Sequence, residues 1–159
     1  MVRIEVADGD DVDALVELWV SLVADQRPYG AHLLAAENRA RVREFLANFV
    51  ATGSVLVARD DRVVGFVMFR IESGAYEQDV SRGFIDNVFV RPQRRGEGIG
   101  SDLLAAAEDV LSERGADVAA LSVLAENEGA QRLYERRGYS PHRVTMERPL
   151  ESDTSSRED

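Results

Sequence analysis

The chain has 159 residues, enough for one domain, with 29 acidic against 19 basic side chains and a formal charge of −10. Every basic residue is arginine and there is no cysteine, which excludes a disulfide framework, thiolate metal sites and a cysteine nucleophile. Without a basic stripe there is no broad nucleic-acid surface, and two distant histidines, His32 and His142, do not make a metal site.

Arg3 to Val6 fits a short opening strand. Asp10 or Asp11 is placed to cap a helix whose Val12, Leu15, Val16, Trp19, Leu22 and Val23 recur at helical spacing. QRPYGAH breaks that period at Pro28 and Gly30. A second amphipathic helix puts Val42, Phe45, Leu46, Phe49 and Val50 on one face and ends at Gly53. SVLVARDDRVVGFVMFRIE reads as a hairpin turning at Asp60 and Asp61. SGAYEQDVSRG is a polar connection, and GFIDNVFV is a strand stopped by Pro92.

A glycine loop then opens a helix with Ile99, Leu103, Leu104, Ala107, Val110 and Leu111 along one stripe, ended by Gly115. DVAALSVLA reads as a buried strand. Asn127 is placed to cap a short helix holding Ala130, Leu133 and Tyr134, closed by Gly138. YSPHRVTMERPL returns as a final strand, and ESDTSSRED, residues 151–159, as a disordered acidic tail. The order β-α-α-β-β-β-α-β-α-β is an α/β pattern around one mixed sheet, a single domain over residues 1–150.

The stretch RRGEGIGSDLL, residues 94–104, carries the strongest chemical signal. A strand, a glycine-rich turn and a helix N-terminus make an anion site, because free backbone N–H groups and the positive end of the helix dipole converge there. Glycine lets the backbone approach a ligand without a Cβ in the way, and Arg94 and Arg95 can add charge to phosphate oxygens. A P-loop needs a Gly-Lys-Ser/Thr ending, and this chain has no lysine. The dinucleotide fingerprint needs G-x-G-x-x-G near the first strand, whereas here G-x-G-x-G comes late, after a proline and two arginines.

VFVRPQRRGEGIGSDLL closely resembles motif A of the GNAT superfamily of acyl-CoA-dependent N-acyltransferases, its core falling on Arg95, Gly96, Glu97, Gly98, Ile99 and Gly100. LSVLAENEGAQRLYERRGYSP resembles the family's second conserved stretch, through Asn127, Leu133-Tyr134 and Gly138-Tyr139. The resemblance runs from the first strand to about residue 150. It implies an α/β fold with a mixed, mostly antiparallel central sheet, splayed fourth and fifth strands and flanking helices. It also implies that the loop, with Ser101 in the same turn, cradles the pyrophosphate of coenzyme A. Val88, Phe89 and Val90 would offer backbone groups to the pantetheine arm, and Asn127 would shape the same site.

The reaction so implied is direct attack of a primary amine, on a small molecule or on a protein N-terminus or lysine, at the carbonyl of acetyl-CoA. It needs no covalent enzyme intermediate and no metal. Tyr134 matches the family tyrosine, and a phenol with pKa near 10 can donate a proton to the departing thiolate; a ring packed into the core is its structural alternative. Tyr139 reads as structural. Relatives that acetylate ribosomal-protein alanine carry a glutamate where Ser122 stands here, so the base must come from elsewhere. Asp86 is the alternative. By strand alternation it shares a face with Val88 and Val90, opposite Asn87 and Phe89; a solvated or paired structural aspartate is the competing reading. Glu126, at the helix entrance, is a poorer candidate.

In the family, substrate choice lies in the first helix pair and in the loop before the fourth strand. Tyr29, His32 and Tyr76 are the matching candidates, with Glu77 and Asp79 beside Tyr76. The rival reading is a non-catalytic acyl-CoA-binding sensor or interaction module; a nucleotide-binding protein is a third. Family members often dimerise, so a homodimer remains open. No apolar run approaches the ~20 residues of a membrane span, and MVRIEVADGDD is not a signal peptide, so the expectation is a cytoplasmic protein with no membrane partner. The acidity fits a halophilic cytoplasm. Arginine without lysine also fits a GC-rich genome.

Overall fold

The computed structural model describes residues 1–151. The expected tail lies outside them apart from Glu151. β1 (Arg3–Val6) leads to α1 (Val12–Gln26) and α2 (Arg39–Ala51); β2 (Val55–Asp60), β3 (Arg62–Ile71) and β4 (Arg82–Val90) follow; then come α3 (Ile99–Glu113), β5 (Val118–Leu121) and α4 (Glu128–Arg136). The five strands form one sheet in chain order, antiparallel except for the parallel β4–β5 pair. Among the described residues, no helix is long and apolar enough to cross a membrane.

Two apolar layers cover the two faces. Strand alternation sends Val55 and Val57 of β2 to one layer and Leu56 and Ala58 to the other. The first layer holds Leu15, Trp19 and Leu22 of α1 and Val42 and Leu46 of α2, packed on Phe66, Met68 and Phe89. The second sets Leu103, Leu104, Ala107 and Leu111 of α3 against Val64, Val67, Phe69 and Ile85. Phe66 is fully buried in the first layer. Phe66→Ala should lower stability by about 3–5 kcal/mol, read as an earlier urea midpoint with unchanged slope. Gly65 next to it is required by crowding: a Cβ there would stand 2.8 Å from the Phe89 carbonyl oxygen, so β3 can lie against β4 only with no side chain at this point.

Several expectations are corrected. Asp11 stands at the N-cap of α1 but bonds no helical N–H; the side-chain cap is made one turn earlier, by Asp8, on the short 3-10 turn Gly9–Asp11 that leads into α1. The Asp8 side chain accepts from the Asp10 N–H at 2.9 Å, while the Asp11 carboxylate turns back to the Asp8 N–H at 3.0 Å. Asp11 is buried, and burial pushes its carboxyl up, but hydrogen bonds from Arg59 and from the Asp8 N–H outweigh that and leave it below the usual range. Phe45 is 54% exposed, because α2 buries only a narrow stripe at Val42 and Leu46. β5 is shorter than expected and half-exposed.

The final strand does not form among the described residues. Residues 140–150 have no regular structure, and Val144, Met146 and Leu150 are exposed. Pro141 and Pro149 remove ladder donors near both ends of that stretch.

Two irregularities shape β4. Its pairing with β5 covers only Arg82–Ile85 against Val118–Leu121, so Asp86–Val90 continues with no partner on that edge. That is the expected splay. On its other edge the register to β3 slips: Met68 lies opposite Asn87 and Phe69 opposite Ile85, leaving Asp86 as the extra residue of a bulge. The bulge overturns the simple alternation. Ile85, Val88 and Val90 belong to the α3 layer and Phe89 to the other. Asp86 bonds Arg70, which alternates with Phe69 and therefore emerges on the α1/α2 face.

Candidate active site

The glycine loop runs from the short turn Pro92–Arg94 into α3. Gly96 and Gly98 have φ of 82° and 83°, and a Cβ on either would meet nothing within 4 Å. Backbone handedness, not crowding, requires glycine there, and the space in front of both is open. Gly100 lies inside α3, where a Cβ would touch Val90 and Leu133, so β4, α3 and α4 converge on it.

Gly98 is the N-cap of α3 and supplies no side-chain cap; the first helical N–H to find an acceptor is that of Asp102, on the Gly98 carbonyl at 3.0 Å. The N–H groups from Gly96 to Ser101 have no acceptor among the described residues. Six free donors at the positive end of a helix form a seat for an anion.

The two arginines are already engaged. Arg94 binds Glu97 at 3.1 Å and Asp60 at 3.2 Å. Arg95 donates to the Val90 carbonyl at 3.0 Å and to Asp25 at 3.1 Å, with its guanidinium 5.2 Å over the Phe89 ring. Arg95 thus ties the end of β4 to α1. The free donors of the loop are thus its backbone N–H groups, while the arginines brace it.

Upstream of the loop, β4 borders the splayed gap. Val88 and Val90 pack toward α3 and Phe89 toward α1, while the backbone of all three pairs with β3 on one side only. At the far wall, Asn127 begins α4. Its Oδ1 accepts the Ala130 N–H at 3.1 Å, so capping is its observed role, with the amide nitrogen left over. Ser122 and Glu126 are exposed between β5 and α4.

Tyr134 projects from α4 into the α3 layer. Burial pushes its phenol above its usual pKa, so it holds its proton throughout the neutral range. The hydroxyl has no partner among the described residues and is not sealed from solvent. Tyr139 stands edge-on to it, ring centres 6.1 Å apart. The Tyr139 hydroxyl donates to Glu108 at 2.6 Å, and Arg137 donates to the other oxygen of Glu108 at 2.5 Å. Burial first, and then the Glu108 carboxylate, keeps the Tyr139 phenol protonated. This network fixes α4 against α3.

Asp86 is also left incompletely bonded among the described residues. Its Oδ1 accepts from Arg70 Nε at 3.2 Å, while its Oδ2 is buried with no partner. Burial pushes its carboxyl above the usual aspartate range, and the nearby Arg70 charge only partly offsets this. An incompletely solvated carboxylate is a stronger base than a free one.

The acetyltransferase (GNAT) family model matches residues 16–139. The chain belongs to this family. A mycothiol acetyltransferase from Clavibacter sepedonicus is 34% identical over 146 residues, covering 87% of this chain and 43% of that protein. The chain therefore spans less than half the length of that curated relative. A GCN5-related N-acetyltransferase structure from Ralstonia eutropha superposes with a TM-score of 0.74 at 26% identity, covering 94% of this chain and 99% of that one. AAC(6')-Iy, in complex with a bisubstrate analogue built on CoA, shares the fold with a TM-score of 0.69 at 17% identity, covering 94% and 99%.

Among the described residues, no hydrogen bond or ring contact joins the expected substrate-side residues of this GNAT chain. Tyr29 is 39% exposed after α1, His32 bonds Glu147 at 2.8 Å, and Tyr76 is 88% exposed on the β3–β4 connection. Tyr76 borders a hollow of about 110 Å³ with Glu72, Gln78 and Arg82, and a larger one of about 350 Å³ lies between α1 and α2. Neither includes the glycine loop. Sequence reading missed Arg70 and Glu108. The signal for Arg70 was an arginine ending an otherwise apolar strand run, VVGFVMFRI.

Proposed function

We propose that the chain transfers the acetyl group of acetyl-CoA to a primary amine by direct attack in a ternary complex. The observation that carries this reading is the run of unpartnered N–H groups from Gly96 to Ser101 at the head of α3, opening beside the unpaired stretch of β4. The pyrophosphate binds at the first. The pantetheine arm pairs along Val88–Val90, which places the thioester in the gap. Tyr134 approaches from the α3 side and Asp86 from the α1/α2 side. Asp86 takes one proton from the incoming ammonium, the neutral amine forms the C–N bond, and the C–S bond breaks as Tyr134 gives its proton to the leaving thiolate; the second proton, released from the acylated nitrogen, restores the Tyr134 phenol, and Asp86 returns its own to solvent. Holding both reactants in the gap supplies much of the acceleration.

The relatives' names speak for the reaction type. Mycothiol is named for a protein more than twice as long as the matching region, and its thiol-bearing substrate is not carried to this chain.

Calorimetric titration with acetyl-CoA, followed by CoA-release assays on an amine panel, tests the proposal. Tight binding to the native chain is expected. Gly98→Val, a branched residue forced to φ of +83°, should weaken binding markedly while a folded circular-dichroism spectrum persists. Binding without CoA release on any amine would favour the non-catalytic module. No binding by folded native protein would sink both readings.

A further inference from the structure

The α1/α2 face of the sheet holds, beside Asp86, a guanidinium whose arrangement the reaction alone does not explain. Arg70 ends the apolar part of β3 and lies opposite Phe84 in register, its guanidinium 5.0 Å over the ring centre. Its Nε is fixed on Asp86 Oδ1. The ring and the carboxylate therefore set one face and one edge of the guanidinium.

The terminal nitrogens of Arg70 have no acceptor among the described residues, and the side chain is 42% exposed against 20% for Asp86. Glu72 is the neighbouring carboxylate, and Arg70's charge reaches it. Glu72 is nonetheless held by Arg82 through two bonds of 2.9 Å and by Gln78 at 3.4 Å. It does not take the free edge of Arg70. A planar fork already held in place, with unused N–H groups, suits bidentate recognition of an oxyanion.

We propose that Arg70 and Asp86 act as a matched pair that selects an amine carrying a carboxylate or phosphonate a few bonds from its nitrogen. Arg70 takes the anion and Asp86 the amine. The proposal rests on the acetyl-transfer reading, because it uses Asp86 as the amine's partner beside the thioester. The acceptor's opposite charges then repeat, in reverse order, the opposite charges of the pair. An anion seated on Arg70 also draws that charge away from Asp86. The carboxylate then becomes more basic when the right acceptor is bound. A neutral amine gains neither contact nor basicity.

The probes are β-alanine and 2-aminoethylphosphonate, each compared with its uncharged ester, in CoA release and in equilibrium titration of the acetyl-CoA-loaded protein. The native chain should favour the charged acceptor over its ester by about tenfold or more in kcat/KM, the scale of one charge-assisted bidentate contact. In Arg70→Gln the ratio should collapse toward one, whatever happens to the absolute rates, since loosening of Asp86 affects both partners of each comparison alike. Arg70→Lys should restore part of the ratio. The carboxylate and phosphonate arms show which oxyanion is preferred. A native ratio near one, or a ratio that Arg70→Gln leaves intact, overturns the proposal. Charged amines that bind through Arg70 without turnover would overturn the transfer reading and leave the anion site standing.

Discussion

Tyr134→Phe should lower kcat by about 10²–10⁴-fold, the range of a lost general acid, while acetyl-CoA affinity stays near the native value. The phenol loses one oxygen that bonds to no described residue, so the fold loses no internal hydrogen bond. The ring keeps its place in the α3 layer and its edge contact with Tyr139. The proposed coenzyme seat is the backbone of residues 96–101, which the exchange does not touch. Single-turnover CoA release and a parallel acetyl-CoA titration separate the two quantities. Unchanged turnover would leave Tyr134 as packing only and remove it from the mechanism.

Asp86→Asn should cost a comparable factor in kcat/KM and also change its pH profile. As the proposed base, Asp86 works as the carboxylate, so the rate should fall as pH drops through the Asp86 pKa. Burial raises that pKa, so the acid limb should lie above the ordinary aspartate range. Asparagine does not titrate, and the limb should vanish from the residual rate. The stability consequence has the opposite sign from that of a paired aspartate. A raised native pKa means that the folded state holds the proton more readily. The contribution of Asp86 to stability is therefore present at low pH and is lost as pH rises through the raised value. An acid limb that survives Asp86→Asn would assign the base to another group.

The loop and the helices were legible because their signals are local. Glycines at 96 and 98 announce a backbone that only glycine adopts easily, and the stripe through Leu103, Ala107 and Leu111 announces a helix with one buried face. Asp86 shows where local reasoning stops. Its distance from Val88 implies one face of the sheet, but a single extra residue in β4, set by register against β3, moves it to Arg70. No alternation rule reveals a bulge from one strand. The cap at Asp8 was missed for a related reason. Three aspartates lie within four residues, all suitable, and the choice follows from Asp11 being drawn to Arg59 on β2. YSPHRVTMERPL alternates well enough to resemble a strand, but a strand needs a partner, and alternation says nothing about one.

The shortness of β5 has a mechanical meaning. All four residues of β5 are spent on pairing with Arg82–Ile85, so the side of the gap facing Asp86–Val90 falls to the irregular, mostly exposed stretch 122–126 beyond it. The near wall, β4, is paired along most of its length with β3 and packed against both layers. Local opening of a segment with so few buried contacts costs far less than global unfolding. One jaw of this cleft is therefore anchored and the other compliant, and the proposed coenzyme would enter and leave on the side beyond Leu121 without disturbing the strand that carries Asp86.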